Sequence, residues 1–196
     1  MTLIGFRSAN HPQQVAKRGA HTKVDDRATH PEDFAVWQQR FSFTLDVAAA
    51  HHNTKCAQYF IEADDGLSQS WVGERVWCNP PYSDIRSWVE KAWSEWRTNA
   101  VPLIVMLLPN NRAEQGWWQD LVEPYRDRPS CGLRVEFLRG RLRFIQAGRT
   151  EVGPNERPPF GSCLLIWGDA RSYTPPDGTG TPHDVTAQPE QGRDTR

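Results

Sequence analysis

The apolar positions fall into short blocks whose period changes along the chain. Ile85, Trp88, Val89, Ala92, Trp93 and Trp96 recur at i, i+3, i+4, i+7, i+8 and i+11. That is the stripe of an amphipathic helix, and Ser83 or Asp84 stands where a cap is needed. "VPLIVMLLP" that follows is unbroken apolar sequence, as in a strand buried on both faces. Before it the pattern predicts a helix over Pro31–Arg40, with Phe34 and Trp37 on one face and Pro31 in the first turn. It also predicts short strands at Phe43–Val47, Gln58–Ile61 and Arg75–Cys78. After it come a helix at Trp117–Val122, two strands in "LRVEFLRGRLRFI" joined near Gly140, and a last buried strand in "GSCLLIWG". Strands alternating with helices predict an α/β fold with a mostly parallel sheet, and the late pair predicts an antiparallel hairpin at its C-terminal end.

Composition trims this picture at both ends. Residues 1–26 mix Gly, Lys, Arg, His and Gln without period and read as a flexible arm. Residues 174–196 are rich in Pro, Gly, Thr and charge and read as a disordered tail. The folded domain is expected over 27–173. The net charge of −1 excludes a wholly basic nucleic-acid coat, so any polyanion must meet a local patch. The four cysteines are widely spaced, with no zinc-like Cys/His cluster, and read as reduced thiols of a cytoplasmic protein. No signal peptide is apparent, and the longest apolar run is too short to cross a bilayer. Nine tryptophans are expected mainly in the core, with a few free for stacking.

In an open α/β sheet, ligands bind beyond the carboxyl ends of the strands. That rule selects Asp46–Ala49, Asn79–Tyr82 and Pro109–Asn111. Asn79-Pro80-Pro81-Tyr82 carries the most specific chemistry. The Asn side-chain oxygen and a carbonyl of the stiff Pro-Pro segment are two acceptors for a planar NH2 group, and Tyr82 offers a face on which a ring can stack. This suits methyl transfer to a conjugated amino nitrogen, a poor nucleophile that must be positioned and polarised. It requires no metal and no nucleophilic side chain. As plain structure the same four residues are a strand-to-helix turn with a buried Tyr.

Around this motif the chain resembles the phage-type, Dam-like DNA N6-adenine methyltransferases. The resemblance rests on "FSFTLDVAAAHHNTKCAQYF", "DDGLSQSW", "ERVWCNPPYSDIRSWVEKA", "VMLLP", "FLRGRLRF" and "PPFGSCLLIW", in order over residues 41–167. It implies a Rossmann-like class I fold binding S-adenosyl-L-methionine. Asp46, Val47, Ala48 and Ala49 would surround the methionine part, and Asp64 or Asp65 would lie near the ribose or adenine. Thr29 and Pro31, in "THPE", would pack on the cofactor, with His30 where the family tends to have a proline. Bare sequence makes "ADDGL" an acidic turn and "THPE" a helix start. Three alanines, Ala48–Ala50, replace the glycines common in such a first loop. His51 and His52 read as surface loop.

The implied partner is double-stranded DNA, met by a monomer or a homodimer in the host cytoplasm. Seven Arg lie between Arg126 and Arg149, with only Asp127 and Glu136 as acids. Arg139, Arg141 and Arg143, alternating along a strand, would share one face for phosphate contact, or pair with carboxylates. Arg112, after the long strand, would reach base or phosphate. Phe144 and Phe160 would wall a flipped-base pocket, although as bare sequence both suit a core. Little chain is left for target recognition beyond 111–132. The rivals are a protein-glutamine or RNA-guanine amino-methyltransferase and a catalytically retired phage DNA-binding protein.

Overall fold

The structure is a computed structural model, and it describes residues 27–98, 100–146 and 158–168. The arm expected at 1–26, the tail expected at 174–196 and Arg149 lie outside them. The elements are β1 (Arg27–Thr29), α1 (Pro31–Phe41), β2 (Leu45–Asp46), β3 (Gln58–Tyr59), β4 (Arg75–Cys78), α2 (Ile85–Arg97), β5 (Leu103–Pro109), α3 (Gly116–Leu121), β6 (Leu133–Phe137), β7 (Phe144–Gln146) and β8 (Ser162–Gly168). A central sheet runs β3-β2-β4-β5-β8-β6, and β1 pairs with β7 in a separate ribbon. β3, β2, β4 and β5 are mutually parallel, and β8 is antiparallel to both β5 and β6.

Alternation along the strands sorts the core into two layers. Val76, Cys78, Ile104, Met106 and Leu108 face α2 and α3 with Trp88, Val89 and Trp118. Trp77, Leu103, Val105 and Leu107 face α1 with Phe34, Trp37 and Phe41. β5 is apolar at every position because both of its faces are covered. Trp77 anchors the α1 layer, with ring centroids 5.2 Å from Phe34 and 5.4 Å from Trp37. Eight tryptophans are buried and Trp96 is half-buried, so none is left as an exposed stacking platform.

α1 opens as its sequence demands. Pro31 needs no donor at the first position, and His30 Nδ1 accepts from Glu32 N. α2 opens differently from expectation. Asp84 holds the N-cap position without capping, because its Oδ1 accepts from Ser87 Oγ at 2.9 Å.

The expected hairpin is not formed: β6 and β7 belong to different sheets. β8 is buried from Ser162 to Trp167, so it must be interior and needs a neighbour on each side. β5 supplies one and β6 the other. The free edge of β6 is closed by Asp127, whose N–H donates to Leu133 O and whose Oδ1 accepts from Val135 N. Residues 139–143 are irregular, turn at Gly140 and deliver β7 to β1.

One ion pair ties the α1 layer to the sheet edge. Arg40 Nη1 and Nη2 donate to Glu136 Oε1 and Oε2 at 2.9 and 2.8 Å, with the two side chains only 17% and 28% exposed. Such a fork is far better held than a surface pair. Arg40→Ala is expected to cost about 1–3 kcal/mol, read as a shift in the urea midpoint at unchanged slope.

Candidate active site

The chain leaves β2 for β3 on one side and later returns to β4 on the other. The crossovers therefore diverge between β2 and β4, and a crevice opens there at the carboxyl ends of the strands. Asp46 ends β2 opposite Trp77, and Asn79 follows β4 two residues further on. Ala28, Thr29, Asp46, Ala48, Asn53, Lys55, Trp77 and Asn79 line the crevice. The β1–β7 ribbon contributes the first two.

Asp46 is 3% exposed. Its Oδ1 accepts from Ala48 N at 3.3 Å and its Oδ2 from Lys55 N at 2.9 Å, so one carboxylate ties both ends of the intervening loop. Burial pushes its pKa up to about 6, against the pull of those two N–H groups. Val47 is buried and donates its N–H to Trp77 O; Ala49 N donates to Phe60 O. The backbone approach that a glycine-free first loop lacks comes from outside it. Gly66, in "DDGL", packs so tightly on Val47 O that no Cβ fits.

Other expected residues take different places. Asp64 Oδ2 accepts from Ile61 N in its own turn, and Asp65 is exposed with a left-handed φ of 50°. Neither lines the crevice. Thr29 does, fully buried, and its Oγ1 has no hydrogen-bond partner. Pro31 is exposed at the start of α1, outside the lining. Lys55, Asn53 and Gly66 were not singled out by the sequence, where "AHHNTK" reads as polar loop.

On the far side of Asn79 a second group gathers over β4, β5 and β8. Tyr82 and Phe160 meet edge to face, with centroids 6.2 Å apart. Asn110 N donates to Gly161 O at 3.0 Å, and the Asn110 carboxamide lies against Gly161. Pro80 is buried, and the Pro81 carbonyl already accepts from Asp84 N. Asn79 and Tyr82 touch through Tyr82 Oη and Asn79 Oδ1 at 3.5 Å.

The arginine stretch corrects two expectations. Residues 139–143 are not a strand, so alternation does not align them. Arg143 is committed to carboxylates, 2.8 Å from Glu32 and 3.8 Å from Asp33, pulling the Glu32 carboxyl below its usual range. Phe144 is 4% exposed and packs in the α1-side core rather than on a DNA-facing wall. Arg139 and Arg141 are exposed, Arg112 is half-buried, and none of the three forms an ion pair with a described residue. Among the described residues no helix is long and apolar enough to cross a membrane.

Comparison with known proteins adds the family context. The sequence model of the DNA N-6-adenine-methyltransferase (Dam) family matches residues 19–188. A DNA N-6-adenine-methyltransferase of Haemophilus phage HP1 (strain HP1c1) is 38% identical over 81 residues, covering 39% of this chain and 47% of that protein. A protein of the same name from Escherichia phage T1 is 31% identical over 157 residues, covering 71% of this chain and 60% of that protein. The chain thus spans about half to three fifths of the length of these curated relatives.

Proposed function

The chain belongs to the DNA N-6-adenine-methyltransferase (Dam) family, and from that premise we propose that it transfers a methyl group from S-adenosyl-L-methionine to the N6 amino group of adenine in double-stranded DNA. One observation carries the reading: Asn79-Pro80-Pro81-Tyr82 stands at the switch point, with the Asp46 crevice on one side and the Tyr82–Phe160 pair on the other. The strand order, with a reversed β8 between β5 and β6, supports a Rossmann-like class I fold.

The crevice fits the cofactor by its donor set: a buried carboxylate, an ammonium and a buried hydroxyl with no partner. The cofactor, when bound, supplies an electrophilic methyl group on a sulfonium. Asp46 holds the cofactor's ammonium, a charge-assisted bond. Asn79 Oδ1 accepts one N–H of the target amino group. The Pro80 carbonyl accepts the other, since the Pro81 carbonyl is bonded to Asp84 N. Two fixed acceptors draw the nitrogen lone pair out of conjugation and aim it at the crevice. The adenine must first leave the duplex, at a cost of about a few kcal/mol; stacking on Tyr82, with Phe160 beside it, offsets part of that. Of the arginines expected to meet DNA, Arg112, Arg139 and Arg141 stay available to phosphates, whereas Arg143 holds the β1–β7 ribbon against α1.

The test is transfer of labelled methyl from the cofactor to unmethylated duplex DNA, with N6-methyladenine in the digest. Label in protein or RNA instead would overturn the substrate. A pH dependence follows from Asp46. Burial raises its pKa from 3.8 to about 6 in the free protein, and a bound ammonium lowers it again. Binding therefore releases a proton below pH 6. Affinity should be flat above that pH and fall by up to about tenfold per unit below it. Titration calorimetry in two buffers of different ionisation heat checks this, and Asp46→Asn should flatten the profile.

A further inference from the structure

We propose that Lys55 is the carboxylate-binding residue for the cofactor's amino-acid end, so that Asp46 and Lys55 together read an α-amino acid zwitterion. The inference rests on the cofactor reading above and adds the anionic half of the site. Three observations carry it.

Lys55 lines the same crevice as Asp46, and its backbone N–H is fixed on Asp46 Oδ2 at 2.9 Å. The residue is therefore held where its side chain enters the crevice. The residue is half-buried and its charge is attracted by that of Asp46, yet its ammonium forms no hydrogen bond or close ion pair with a described residue. A partly desolvated ammonium with no direct hydrogen-bond acceptor favours an anionic group from outside. The third observation is the buried Thr29 Oγ1 in the same lining, also without a partner. A carboxylate has acceptor sites enough for an ammonium and a hydroxyl at once. Asp46 accepts one N–H at each oxygen, from Ala48 and from Lys55, and bonds neither the Lys55 ammonium nor Thr29 Oγ1, which leaves its remaining acceptor sites for the ligand's ammonium.

An ammonium and a carboxylate on one carbon are the groups that such an arrangement distinguishes. A ligand with the ammonium alone would satisfy Asp46 and leave the half-buried Lys55 ammonium without a direct acceptor. Discrimination by a site whose charged group is left unpaired is strong.

The experiment compares S-adenosylmethionine with its decarboxylated analogue, by calorimetry on the full chain, for the wild type, Lys55→Met and Lys55→Arg. The wild type should prefer the carboxylated ligand by about tenfold to a hundredfold. Lys55→Met should lose most of that preference by weakening S-adenosylmethionine alone, and Lys55→Arg should restore part of it. Equal weakening of both ligands would mean that Lys55 only shapes the loop, and would overturn the inference; so would wild-type binding of both by Lys55→Met. Failure of the wild type to bind either ligand would overturn the cofactor reading and this inference with it. Thermal unfolding of each variant separates a lost contact from a lost fold.

Discussion

Asn79→Ala is expected to lower methyl transfer to DNA by at least about 10²–10³-fold, the scale of removing one preorganised polar group from a charge-developing site. The side chain is half-buried at the end of β4 and belongs to neither core cluster, so its loss should leave the unfolding transition close to that of the wild type. Its proposed role is acceptance of a single N–H, which alanine cannot perform. Asn79→Asp keeps an acceptor at the same place and should retain measurable transfer, and that contrast separates hydrogen bonding from mere filling of space. Single-turnover measurement with saturating cofactor and DNA reads the chemical step apart from binding. A wild-type rate in Asn79→Ala would sink the clamp. Tyr82→Ala should combine a slower step with weaker DNA binding, because it removes the stacking face and the contact with Phe160.

What the sequence made legible, and what it hid, divides along the range of the interactions. β4, β5 and α2 could be read within a residue or two because each declares itself locally: a short apolar run, a longer one, and a helical stripe. The hairpin misled because pairing is not local. "LRVEFLRGRLRFI" has two good strand patterns and a turn glycine, yet β8 needed β6, and β1 took β7. Arg143 alternated correctly with Arg139 and Arg141, but its ion-pair partners lie more than a hundred residues away in the first turn of α1. Phe144 could be either wall or core in sequence, and the aromatic face of α1 decided for core. In the site, Asn79–Tyr82 and Asp46 were legible because their chemistry is carried by residue type at a strand end. Lys55 was not, since a lysine in a polar loop looks solvated until the loop folds back onto Asp46. "DDGL" drew attention for its acids, while the structure rests more on its glycine.

That glycine sets the second large effect. Gly66→Ala is expected to destabilise the fold by about 3 kcal/mol or more and to lower the melting temperature by about 10 °C. The new Cβ would fall well inside contact distance of Val47 O, with Trp88 Cη2 at 3.2 Å. Relief needs one side to move, and both are held. Val47 is 1% exposed and its N–H is bonded to Trp77 O at 3.1 Å. The Gly66 carbonyl accepts from the buried Trp71 Nε1 at 3.0 Å. If Val47 yields, Ala48 moves off Asp46 Oδ1 and the crevice opens, so cofactor affinity should fall together with stability. Gly140 is the control. Its φ is +77° but nothing lies within 4 Å of its Cβ position, so Gly140→Ala meets only the backbone penalty of about 1–2 kcal/mol and should leave cofactor affinity alone. Thermal unfolding with and without S-adenosylmethionine distinguishes the two. If Gly66→Ala melted like the wild type, the segment after β2 would have to be softer than its hydrogen bonds imply. Asp46 would then no longer hold the crevice in one shape.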